Sequence, residues 1–173
     1  MKALKLSPRP GVPTGVPREV QASFLLWLTA VGAGVVETII RLINASLMAS
    51  GSSGEAGATG EITSVLIRVI VYTVAIYIIA QMRLGKRWAR LTLAVLLGGI
   101  GTLSLVIDPI SWLAGGNSLS EVFTQADLLF VYIAPIRAVH LVAVIAALVF
   151  MFLPPANTYF RAAGSGTRRV TSG

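Results

Sequence analysis

Five ionisable side chains fall inside stretches that are otherwise almost free of charge: Glu37, Arg41, Arg68, Arg137 and His140. Glu37 and Arg41 are four residues apart, so a helix puts them on one face, which Asn44 continues. Ser64, Arg68 and Tyr72 make a second polar stripe with the same period, and Arg137 and His140, three apart, make a third. Pro135 lies just ahead of that third pair, where it removes one helix hydrogen bond, leaves the Val131 carbonyl short of its donor and invites a kink. Guanidinium groups with one carboxylate and hydroxyls nearby are the chemistry of ion pairing and anion binding. An Arg at the centre of a spanning helix costs about 2.5 kcal/mol or more, so each must find a partner, a wet cavity or a path by which to snorkel outward. Three readings stand open. The residues form a site for an anionic group such as a lipid headgroup, a buried contact with a partner subunit, or an internal Glu37–Arg41 pair with snorkelling arginines that holds a bundle together.

Reactive chemistry has little to work with. The chain has no cysteine, which removes disulfides, iron–sulfur ligation, thiolate zinc sites and a cysteine nucleophile. One histidine excludes a His-rich metal site. A Ser64–His140–Glu37 triad can be assembled only by drawing freely on three helices, so no catalytic, cofactor-binding or metal residue is expected. There is no Walker or dinucleotide glycine pattern, no Ca²⁺ loop and no internal repeat.

The elements that must position the polar residues follow from composition. Of 173 residues 55% are hydrophobic and 12% charged, with a mean hydropathy of +0.80. Soluble domains carry roughly 25% charged residues, so this chain belongs in a membrane. A hydrocarbon core needs about 20 apolar residues in a helix, and four stretches qualify, about 23–48, 61–82, 88–107 and 127–153. Runs such as 141–150 are apolar on every face, which excludes the alternating strands of a barrel. Helical rise puts Arg41 and Arg68 roughly 10 Å, and Arg137 roughly 15 Å, below one common end of these segments. A shared depth brings the three stripes together as one polar cluster between the first, second and fourth helices.

The connections are distinct. Residues 1–17 hold four prolines and read as a flexible tail, with Pro17 placed to open the first helix. A signal peptide is the competing reading of the first segment; Glu37 and Arg41 interrupt its apolar run, which favours a retained helix. Residues 49–60 are small and polar, residues 83–87 form a tight turn, and 108–126 fit a short interfacial helix beginning after an Asp108-Pro109 terminus. Pro154-Pro155 ends the fourth helix, and 156–173 read as a second basic flexible tail. Ala94, Gly98 and Thr102 give the third helix a small-residue packing stripe, and Ala30 and Gly34 give the first a notch.

Charge orients the bundle. Eleven of the fourteen Lys and Arg residues fall in the two tails and the 83–90 turn, whereas 49–60 and 108–126 contain none. The positive-inside rule then places both termini and the turn in the cytoplasm, against anionic headgroups. The net charge of +7 is thereby accounted for without nucleic acid, and Trp27, Trp88, Trp112, Tyr159 and Phe160 suit interfacial anchors.

Three stretches carry a likeness: PREVQASFLLWL at the start of the first helix, the turn LGKRWARLTL and the exit LPPANTYFR. With Gly85, Trp88, Ala89 and Arg90 in the turn and Leu153 to Arg161 at the exit, the chain resembles small four-helix membrane proteins of mycobacteria and related actinobacteria. The resemblance implies a source and an architecture and supplies no catalytic residue. The expected protein is an all-α integral membrane four-helix bundle, N-in and C-in, with residues 18–155 as the transmembrane domain. Its expected role is a non-enzymatic accessory or scaffold subunit of a plasma-membrane envelope complex, for example for lipid import, contacting other membrane subunits. The alternative is a small transporter or lipid-binding protein that uses the outward Arg-rich cluster.

Overall fold

The computed structural model describes residues 15–49, 55–116 and 128–166, and these are helical apart from short turns. Helix α1 spans Arg18–Ala49 and α2 spans Glu55–Arg83. A third rod follows: α3 (Arg87–Thr92), a π-helical segment (Leu93–Gly101) and α4 (Thr102–Ala114) run on without a break, since both junction residues, Thr92 and Gly101, keep right-handed helical angles. Helix α5 spans Leu128–Phe152 and α6 spans Pro154–Gly166. Among the described residues, three helical stretches are long and apolar enough to cross a membrane: Arg18–Leu47, Ile62–Arg83 and Val131–Phe152. The expected third span, 88–107, falls in the third rod, whose ladder changes to the wider π turn midway.

The packing seams explain the fold. On α1 the inward positions step by three and four residues: Val20, Ser23, Trp27, Ala30, Gly34, Glu37. On α5 the same alternation gives Ile133, Arg137, His140, Val144, Ala147, Met151. A 3–4 alternation keeps one seam facing a neighbour along a left-handed pair. The two seams run antiparallel, with the Ser23 hydroxyl donating to the Ala147 carbonyl at 2.9 Å and Glu37 meeting Arg137 near the other end. Helix α2 adds Ala75, Ile79 and Met82, all buried, against α1. The core is therefore apolar toward one end of the bundle and polar toward the other.

The apolar end is also the basic end. Gly85, at φ +81°, turns α2 into α3 in a conformation that disfavours side chains. Helix α6 folds back over this turn. The Tyr159 hydroxyl donates to the Arg83 carbonyl, Arg87 donates to the carbonyls of Phe160 and Arg161, and Arg90 donates to the Asn157 side chain. The Arg90 guanidinium also lies 4.1 Å from the Phe152 ring centroid and 5.1 Å from that of Phe160. Arg83 covers Phe24 of α1 at 4.9 Å. The three stretches of the resemblance are thus one docked unit.

Four expectations are corrected here. Residues 156–166 are a helix rather than flexible tail, because Ala156 and Phe160 are an apolar pair at helical spacing that the core takes up. Trp27 and Phe160 are not interfacial anchors; both are fully buried. Helix α2 begins at Glu55, inside the stretch read as a loop, where alanines favour the helix. Asp108-Pro109 is no terminus, since α4 runs through both to Ala114 and turns at Gly115-Gly116. The remainder of the expected interfacial helix and the outermost tails lie outside the described residues, as does the side chain of Trp112.

Candidate functional site

Glu37 is the hub of the polar end. Its side chain is only 12% exposed, and its Oε1 accepts from two arginines. Arg41, one turn on, donates through Nε at 3.0 Å and lies 3.0 Å away through Nη2. Arg137 crosses from α5 and donates through Nε at 3.2 Å and Nη2 at 3.0 Å. One carboxylate oxygen therefore answers two guanidinium groups through charge-assisted hydrogen bonds. His140, one turn below Arg137, lines the same cleft as Ala30 and Glu37.

The third arginine is held differently. Arg68 comes from α2 and donates to the Thr38 hydroxyl at 3.3 Å, a long bond to a neutral group. Thr38 is itself bonded to the Gly34 carbonyl and to the Tyr72 hydroxyl, each at 2.9 Å. Tyr72 reaches the same Gly34 carbonyl at 2.8 Å. The missing side chain makes room: a Cβ at position 34 would sit 3.2 Å from the Tyr72 hydroxyl oxygen, a tight contact. The notch read in α1 thus receives a tyrosine of α2. Among the described residues the ion pairs are those of Glu37 with Arg41 and Arg137. Among the described side chains, three arginines against one carboxylate leave an excess of two positive charges, and Arg68 has no acidic partner.

Two cavities meet at this cluster. A cleft of about 750 Å³ lies between α1, α2, the π segment and α5. Glu37, Arg41, Arg68, Tyr72, Arg137 and His140 all line it, so six of the seven residues of the expected cluster converge. Ser64, the seventh, lines a smaller cavity of about 280 Å³ between α1 and α2, with Asn44, Arg41 and Arg68. The volume of the larger cleft is that of a small-ligand site, roughly 300–1,000 Å³.

Sequence reasoning missed Thr38 and read Gly34 only as a packing notch. Their signal was present, because Gly34, Thr38 and Arg41 continue the Glu37 face at helical spacing. Of the packing stripe, Gly98 is in close contact with α5: a Cβ there would lie 3.0 Å from Leu148. Ala94 packs on the core, whereas the Thr102 hydroxyl turns back to the Leu97 carbonyl at 3.5 Å, within its own rod. Pro135 sits inside α5, which continues past it. The arrangement can bind and orient an anion. Searches against known protein families, curated proteins and solved structures find no match for this chain.

Proposed function

We propose that the chain is a non-enzymatic integral membrane protein that holds an anionic group in its Arg-rich cleft, with both termini and the 83–87 turn in the cytoplasm. The observation that carries this reading is Arg68, a cation within a spanning helix that lines the cleft, where among the described side chains the nearby carboxylate, Glu37, is already shared by two other arginines. Intramembrane charge is costly, and an anion at Arg68 lowers that cost. The orientation rests on where the basic residues gather: Arg83, Lys86, Arg87, Arg90 and Arg161 sit at the end opposite the cluster. With that orientation the third rod is the fourth crossing of the membrane, and the cluster opens outward.

The test is ligand-dependent stability. The full chain in neutral detergent is melted with increasing dodecyl phosphate or dodecyl maltoside. A ligand at a hundred times its dissociation constant adds about 2.7 kcal/mol of stability. Wild type is expected to be stabilised by the phosphate alone, and Arg68→Gln to lose that response. Equal responses of both proteins to both amphiphiles would refute the reading.

A second reading, the accessory subunit, draws on α2. Leu66, Ile67, Val69, Ile70 and Val71 are all at least half exposed, so the described residues leave much of this stretch of α2 uncovered. A partner helix fits that surface. Pulldown in mild detergent that recovers a stoichiometric membrane partner supports it, and recovery of the chain alone counts against it.

A further inference from the structure

Arg41 and Arg68 line both cavities, and the two cavities differ in character. Toward the outer helix ends the smaller one is edged by Asn44 and Ser64. Toward the basic end the larger one is walled by Val74, Ala75 and Ile78 of α2, Ile100 of the π segment and Val144 of α5. We infer that the occupant is a single membrane lipid with an anionic phosphate headgroup, its phosphate on Arg41 and Arg68 and an acyl chain in the larger cleft.

This rests on the anion-binding reading above and adds the chain. Three observations support it. The first is length: from Arg68 to Ile78 the cleft follows α2 for ten residues, roughly 15 Å, which is half of a hydrocarbon core of about 30 Å. The apolar wall therefore has the depth of one leaflet. The second is the opening. Ile70, Val71 and Val74 on one lip and Leu96 and Ile100 on the other line the cleft and are about half exposed. A chain can slide in sideways between α2 and the π segment without leaving the bilayer. The third is charge. The two uncompensated positive charges sit at the polar end of this wall, so head and chain are read in the order in which a lipid presents them. A small water-soluble anion would satisfy Arg68 and leave the apolar wall unused.

The experiment is native mass spectrometry of the full chain in neutral detergent with phosphatidylglycerol, glycerol 3-phosphate or diacylglycerol. Three proteins are compared: wild type, Arg68→Gln, and Val74→Trp, which narrows the cleft from an exposed lip and leaves the core untouched. Phosphatidylglycerol is expected to bind wild type. Arg68→Gln should weaken it about tenfold, the loss of one charge-assisted contact, and Val74→Trp by a similar factor. Glycerol 3-phosphate and diacylglycerol should bind poorly to all three. If glycerol 3-phosphate binds as tightly as the lipid and Val74→Trp changes nothing, the chain is overturned while the anion reading survives. If diacylglycerol matches phosphatidylglycerol and Arg68→Gln changes nothing, both fall.

Discussion

Replacing Glu37 by Gln should weaken the fold and strengthen anion binding at once. The substitution keeps the shape and one acceptor but removes the charge that Arg41 and Arg137 share. Hydrogen bonds within membranes between neutral groups average about 0.6 kcal/mol, which sets what Gln can still supply. Hydrogen bonds to charged groups are worth about 1.5–3 kcal/mol, and breaking a fully buried ion pair costs about 3–5 kcal/mol. Arg41 and Arg137 are 41% and 32% exposed, so both retain some alternative solvation and the upper figure must be reduced. A loss of about 2 kcal/mol is the working value. The assay is reversible unfolding in mixed micelles with rising dodecyl sulfate, followed by helical ellipticity. Arg137→Gln and the double variant complete a cycle whose coupling should be about 1 kcal/mol or more. Dodecyl phosphate should bind Glu37→Gln more tightly than wild type, because the cluster loses its one negative charge. A loss below about 0.5 kcal/mol, with no coupling to Arg137, would refute Glu37 as the shared acceptor.

Other substitutions probe the scaffold. Gly85→Ala should cost about 1–2 kcal/mol from the left-handed backbone alone, and its Cβ would lie 2.7 Å from that of Ala163, so α6 should undock and become cleavable by limited proteolysis; unchanged cleavage would contradict the docking. Phe160→Ala should cost about 3–5 kcal/mol in the same unfolding assay, as for a core aromatic, whereas an interfacial anchor would cost far less. Orientation can be read cleanly because the chain has no cysteine. In intact cells Ser52→Cys should react with an impermeant maleimide and Lys86→Cys should not; the reverse pattern would invert the bundle.

The polar cluster was legible because burying charge in lipid is costly enough that three arginines at one depth must converge. Arg41, Arg68 and Arg137 therefore predict their own proximity, and the structure adds only the neutral bridge through Thr38, Tyr72 and the Gly34 carbonyl. The 3–4 alternation on α1 and α5 was equally present in the sequence, but apolar residues on every face hid it; only the polar members stood out. Aromatic residues near the basic end misled for a related reason. Trp27 and Phe160 have the composition of interfacial anchors, but both are taken into the core, Phe160 from a helix whose short, weakly apolar sequence reads as tail. Glu55 and Asp108-Pro109 show the limit of boundary signals, since helical propensity and neighbouring turns carried both helices past them. The π segment had no signal beyond its glycines, of which Gly98 lies against Leu148 of α5.

The central claim is that Arg68 holds an anionic lipid in the cleft. The most direct measurement is lipid analysis of the full chain purified in mild detergent from a phosphatidylglycerol-containing membrane, beside Arg68→Gln purified in the same way. A stoichiometric anionic lipid with wild type, depleted in Arg68→Gln, is the predicted result. Retained lipid that mirrors the bulk membrane in both proteins would contradict it.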